Sequence, residues 1–209
     1  MNKVLTLLLT LFISFSVFAQ KKTLSATLYK EFKPSVITLS DGRRINQPLT
    51  NIFLKNSSLL YLKGEYTMEA NMDNVLAVDF PDRSYVAINN QLAYPIDSVA
   101  DNVLYCIELF DQDTYERNLR NNINISNISL GDQISTSTVD INNEEDHKLP
   151  VFRHFYFRYQ GEYIKVHERE LSRRLSKEKR IMMKRIVALP DFSWQKEASL
   201  TKLLKAITE

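Results

Sequence analysis

From residue 35 onward the chain alternates short apolar runs with polar breaks. "SVITL", "NIFLK", "SLLYLK", "EYTMEA", "NVLAVDF", "SYVAI", "QLAYPI" and "NVLYCIELF" are rich in β-branched and aromatic residues, and "SDGR", "KNSS", "KGE", "NMDN", "FPDR" and "NNQ" lie between them. Each break offers the Gly, Asn, Asp or Pro that tight reversals need, so residues 35–110 read as short strands of an antiparallel meander. A curled sheet, a barrel and a sandwich satisfy that pattern equally. The periodicity changes at "DQDTYERNLRNN", where Asp111 or Asp113 can cap a short helix near 112–121 with Tyr115 and Leu119 on one face. Residues 121–148 hold no aromatic residue and much Asn, Ser and Thr, which reads as an edge strand followed by an exposed polar loop.

The sheet resumes with "VFRHFYFRYQGEYIKVH", a hairpin turning at Gln160 and Gly161. A two-residue loop sets Phe155 opposite Val166 and Phe157 opposite Ile164 on the core face. On the other face it sets His154 opposite His167, Tyr156 opposite Lys165 and Arg158 opposite Tyr163. Glu168 to Leu189 then reads as one long helix, because Leu171, Leu175, Met182, Ile186 and Leu189 share a stripe that Met183 broadens, and Pro190 stops it. Asp191 or Ser193 caps a last helix in which Leu200, Leu203, Leu204 and Ile207 repeat at i, i+3, i+4, i+7. The expected architecture is therefore α+β: a mainly antiparallel β domain over residues 20–167 with a helical hairpin, residues 168–209, packed on it.

Composition adds a compartment. The opening "MNKVLTLLLTLFISFSVFAQ" has a cationic start at Lys3, an apolar run from Val4 to Phe18, and small residues at Val17 and Ala19, the three parts of a cleavable signal peptide over residues 1–19. As a helix the apolar run reaches only ~22 Å, short of a hydrocarbon core of about 30 Å, which favours cleavage over anchoring. A single cysteine, Cys106, excludes an internal disulfide; within an apolar run it reads as a small buried hydrophobe. The net charge of +2 hides a split: residues 21–150 carry 12 basic and 18 acidic side chains, residues 151–209 carry 14 and 7. The simplest partner for a basic tail is the acidic half of the same chain.

Candidate chemistry begins with the basic helix. Arg173, Arg174, Lys177, Arg180 and Lys184 belong to a segment with no aromatic residue, so nucleic acid is disfavoured, the more so for an exported chain. An anionic membrane surface fits its amphipathicity better. The simpler expectation is that the apolar stripe packs inward while the cations face water and the acidic half. His154 and His167, if cross-strand neighbours, would have α-carbons about 4.5 Å apart and could share one ion, with His147 available only if its loop folds back. Tyr156, Arg158, Tyr163 and Lys165 interleave rings and cations on the same face, a combination suited to an anionic ligand or a sugar. Asp79, Asp82 and Arg83 in "VDFPDRSY" could do acid and base work but read more simply as a turn. GxSxG, Walker, GxGxxG, HExxH and CxxC signatures are absent, and no cofactor is implied.

The ending "VFAQ", with "ITLSDGRRINQPL" and "LLYLKGEYTMEANMDNVLAVDFPDRSY", resembles uncharacterised exported proteins of Bacteroidetes-type bacteria over roughly residues 1–100. The resemblance implies the periplasm or extracellular face of a Gram-negative envelope and carries no catalytic motif. "DSV" at Asp97–Val99 is similar to the short O-glycan acceptor pattern of that group, which would place Ser98 on the surface. The expectation is an exported, non-enzymatic envelope or binding protein whose partner is a glycan, an envelope protein or an anionic membrane surface. The alternatives are a metal-dependent or hydrolytic enzyme using His154 and His167, and a peripheral membrane protein using residues 168–189.

Overall fold

The computed structural model describes residues 26–122 and 149–208. Residues 1–25, with the expected signal peptide, all but the first two residues of the 121–148 stretch, His147 with them, and Glu209 lie outside these residues. Ten strands pair into one antiparallel sheet: β1 Lys33–Leu39, β2 Arg44–Phe53, β3 Ser58–Lys63, β4 Tyr66–Glu69, β5 Val75–Asp79, β6 Ser84–Ile88, β7 Gln91–Val99, β8 Asn102–Phe110, β9 Val151–Tyr159 and β10 Glu162–Lys165. The described residues also form four α-helices: α1 Gln112–Asn122, α2 Glu168–Arg174, α3 Lys177–Val187 and α4 Glu197–Thr208. Asp111, not Asp113, caps α1, its carboxylate accepting the Thr114 N–H at 2.9 Å.

The sheet is not a single meander. Its order is β10-β9-β8-β7-β6-β5-β1-β2-β3-β4, so β1 pairs with both β2 and β5, and two meanders lie side by side. The link after β4 makes this possible. "NMDN", expected to be a tight reversal, is a 3-10 turn over Met72–Asn74 whose cap Asn71 accepts the Asp73 N–H at 3.1 Å. Met72 is buried among Ile37, Ile52, Leu59 and Val78. An apolar residue inside a polar break must find a core, and here it draws the chain past β3, β2 and β1.

The sheet curls into a half-barrel. The curl is tied where β3 begins: the Leu92 N–H donates to the Ser57 carbonyl at 2.7 Å, and the Ser57 hydroxyl donates to the Leu92 carbonyl at 2.8 Å. Alternation then assigns the faces. Inside the curl Ile37, Ile52, Leu59, Val78, Phe80, Tyr85 and Leu92 form one core. On the same face further along, Leu104, Cys106, Phe155, Phe157 and Ile164 meet Leu171, Leu175, Met183, Leu200, Leu203, Leu204 and Ile207. Tyr94 packs against both cores and joins them. The opposite, convex face gathers Ile88, Ala93, Tyr105, Ile107 and Tyr156.

The expected long helix is broken. Leu175 is extended (ψ 146°) and Ser176 caps a new helix, its hydroxyl accepting the Lys179 N–H at 3.3 Å. A continuous helix would put Leu171, Leu175, Met182 and Leu189 on one stripe. The break re-aims α3 by about 100°, one residue's worth of helix, so Met183, Ile186 and Val187 face the core. Met182 and Leu189 are exposed instead. The last helix begins later than expected: Ser193 bonds the Gln195 N–H (3.2 Å) in the preceding loop, and α4 starts at Glu197 with Leu200, Leu203, Leu204 and Ile207 buried as their spacing requires.

Candidate functional site

The β9–β10 hairpin has the anticipated register, with Arg158 opposite Tyr163, Phe157 opposite Ile164 and Tyr156 opposite Lys165. Its loop is Gln160 (φ 52°) and Gly161 (φ 85°), a pair of left-handed residues that matches strand twist in a two-residue turn; a side chain at Gly161 would be strained there. Because α2, α3 and α4 pack on the Phe155 and Phe157 face, Tyr156, Arg158, Tyr163 and Lys165 lie on the side of the sheet away from them. Pairing with β8 extends this face into two rows, Lys165–Tyr156–Tyr105 and Tyr163–Arg158–Val103.

Tyr105, which sequence reasoning did not single out, completes the array. Its ring meets that of Tyr163 edge-on, with centroids 5.8 Å apart and planes at 68°. Burial pushes its hydroxyl pKa up, the neighbouring Tyr163 adds to that, and the Arg158 guanidinium opposes it. Tyr105 and Tyr156 are buried and form a floor; Tyr163, Arg158 and Lys165 stand exposed around it. The signal for Tyr105 was its odd position in "NVLYCIELF", which puts it on the same side as Val103 and Ile107.

The strand pairs end at Tyr156–Lys165, and one further backbone bond runs from the Val166 N–H to the Phe155 carbonyl at 2.9 Å. His167, the next residue, is extended and caps α2, its Nδ1 accepting the Arg169 N–H at 3.3 Å. Helix initiation at Glu168 needs an acceptor at that place, and the imidazole supplies it. His154 pairs with Ile107 on β8 and is partly buried; burial first, and the Lys165 ammonium second, lower its pKa. Among the described residues no cluster of three His, Cys, Asp or Glu side chains could hold a metal ion.

The basic side chains are variously engaged. Arg173 pairs with Glu170 at 3.2 Å, Arg174 with Glu162, and Arg180 donates to the Leu175 carbonyl at 3.2 Å. Lys177 and Lys184 are exposed. Among the described residues the acidic half meets the tail through one ionic link: Arg153 bonds Glu108 at 3.2 Å and also Glu197, at the start of α4, at 3.1 Å. Among the described residues the tail packs on the sheet through its apolar face, Leu171, Leu175, Met183, Leu200, Leu203, Leu204 and Ile207. Glu108 also accepts the Tyr94 hydroxyl at 3.2 Å, and the Arg83 guanidinium lies 4.2 Å from the Tyr94 ring centroid. This polar seam between the two concave cores was missed, although Glu108 and Arg153 sit at inward-facing positions of apolar strands, where a charge must be paired.

Asp79 and Asp82 do not form a carboxylate pair: Asp79 faces Arg44 at 3.6 Å, whereas Asp82 accepts from Lys33 at 3.5 Å and from the Tyr29 hydroxyl at 3.3 Å. Cys106 is fully buried, and desolvation pushes its thiol up to about 11. Ser98 is exposed on β7.

No family model matches the chain, and neither a curated protein nor a solved structure is similar to it. The arrangement presents one exposed ring, Tyr163, beside the exposed cations Arg158 and Lys165, over the buried Tyr105 and Tyr156 on three paired strands. No described helix is long and apolar enough to cross a membrane.

Proposed function

We propose that this is an exported, non-enzymatic binding protein of a Gram-negative cell envelope, and that it takes an acidic glycan on the convex face of β8, β9 and β10. One observation carries the reading: the helices back the opposite face, leaving Tyr163, Arg158 and Lys165 exposed over the Tyr105 and Tyr156 floor. Rings supply flat apolar area for the C–H face of a sugar, and the guanidinium and ammonium supply donors for a carboxylate or sulfate. In this reading α3 and α4 serve as the expected helical hairpin that braces the hairpin strands from behind. Export rests on the residues 1–19 pattern, and the envelope compartment on the resemblance of residues 1–100 to exported Bacteroidetes-type proteins.

Titration calorimetry against acidic and neutral oligosaccharides tests this. Binding is expected for acidic ones, unaffected by chelator, and weakened about ten- to a hundredfold by Arg158→Ala, the range for a lost charged hydrogen bond. Tyr163→Ala is expected to weaken it about tenfold through lost ring contact. A protein that ignores acidic glycans, or binds them equally well without Arg158 and Tyr163, overturns the reading.

A further inference from the structure

The outward face of α3 combines apolar and cationic side chains. Met183 is buried and Ile186 and Val187 pack inward, yet on the other side Ile181 is 48% exposed, Met182 42% and Leu189 43%. Ile181, Arg185 and Leu189 follow one another at i, i+4, i+8, and Met182 lies beside Ile181. The Leu189 N–H still bonds the Ile186 carbonyl at 3.1 Å, so the turn continues past the end of α3. Lys177, Lys184 and Arg185 flank this ridge, all exposed, and Glu178 is the single carboxylate on the helix. Among the described residues none of these three cations forms an ion pair, in contrast to Arg173 and Arg174 of α2.

A helix that has buried one stripe in a core normally shows water a polar back. Three large apolar side chains between cations match a lipid–water boundary instead, where the apolar groups enter the acyl margin and the cations stay with the headgroups. We propose that α3 docks on an anionic lipid bilayer through Ile181, Met182 and Leu189, with Lys177, Lys184 and Arg185 against the headgroups. Charge complementarity selects the occupant: the ridge carries three cations and one carboxylate, and anionic lipid concentrates such a surface. The contact set differs from the stripe that sequence periodicity suggests, because the break at Leu175 and Ser176 turns Leu171, Leu175 and Met183 inward. The inference stands apart from the glycan reading, since α3 and the Tyr163 face lie on opposite sides of the sheet.

Flotation of the full chain with phosphatidylcholine vesicles, with and without about one-third phosphatidylglycerol, tests it. The expected result is capture by the anionic vesicles, lost at least ~tenfold in Ile181→Asp/Met182→Asp and on raising salt from about 0.05 to about 0.5 M. Ile181→Gln/Met182→Gln, which retains helix propensity, is expected to lose capture likewise while circular dichroism stays unchanged, and Lys177→Gln/Lys184→Gln/Arg185→Gln to lose the preference for anionic lipid. Three results would overturn the proposal: no capture of the unaltered chain; capture by both vesicle types that the α3 substitutions leave intact, which assigns the contact to Val4–Phe18; or tight binding of an acidic polypeptide in place of vesicles.

Discussion

The β8 and β9 strands bury the Cys106 side chain fully and that of His154 in part. The Cys106 thiol, without exposed surface and raised to about 11, is neutral and sterically closed. Native protein should therefore leave Ellman's reagent uncoloured, and colour should develop only at the rate of unfolding; fast labelling under native conditions contradicts the packing. His154 has a folded pKa below its ordinary 6.5, so the unfolded chain holds more protons than the folded one as pH falls through that value. Its contribution is complete above 6.5 and is lost as pH drops toward the folded pKa. Denaturant midpoints should decline as pH falls below 6.5, before the carboxylates titrate. His154→Gln should flatten that decline, and an unchanged slope in the variant would assign it elsewhere.

At the scale of elements, Ser176 decides how the basic segment presents itself. Its hydroxyl satisfies an N–H at the start of α3, so Ser176→Ala should cost about 1 kcal/mol in urea unfolding while Ser176→Asp retains stability. A neutral Ser176→Ala would mean that the break owes nothing to the cap. The strands were legible because each apolar run is bounded by turn chemistry, and the β9–β10 register followed from Gln160 and Gly161 alone. The helix break was not legible from the stripe, since Leu171, Leu175, Met182 and Leu189 satisfy a continuous helix perfectly well. The choice between that helix and two shorter ones depends on where the sheet and α4 place the core that Met183 fills.

At the scale of the molecule, strand order depends on contacts distant in sequence, and the pattern of turns does not encode them. β1 settles between β5 and β2 because Ile37 is needed against both Val78 and Ile52, a demand visible only once the sheet has curled. The candidate site divides the same way. Tyr156, Arg158, Tyr163 and Lys165 share a face by local alternation, whereas Tyr105 joins them through pairing across the 111–150 excursion. His167, at the end of the hairpin, serves as the cap of the helix that follows.

Among the described residues the ten-stranded sheet has two borders, β4 and β10, and each is four residues long. β4 reads Tyr-Thr-Met-Glu and β10 Glu-Tyr-Ile-Lys, so a foreign strand arriving at either side finds a brief ladder with a charged residue at its end. Such short, charged margins resist templated stacking of one copy on the next, which guards an extensive β surface against fibrous self-assembly.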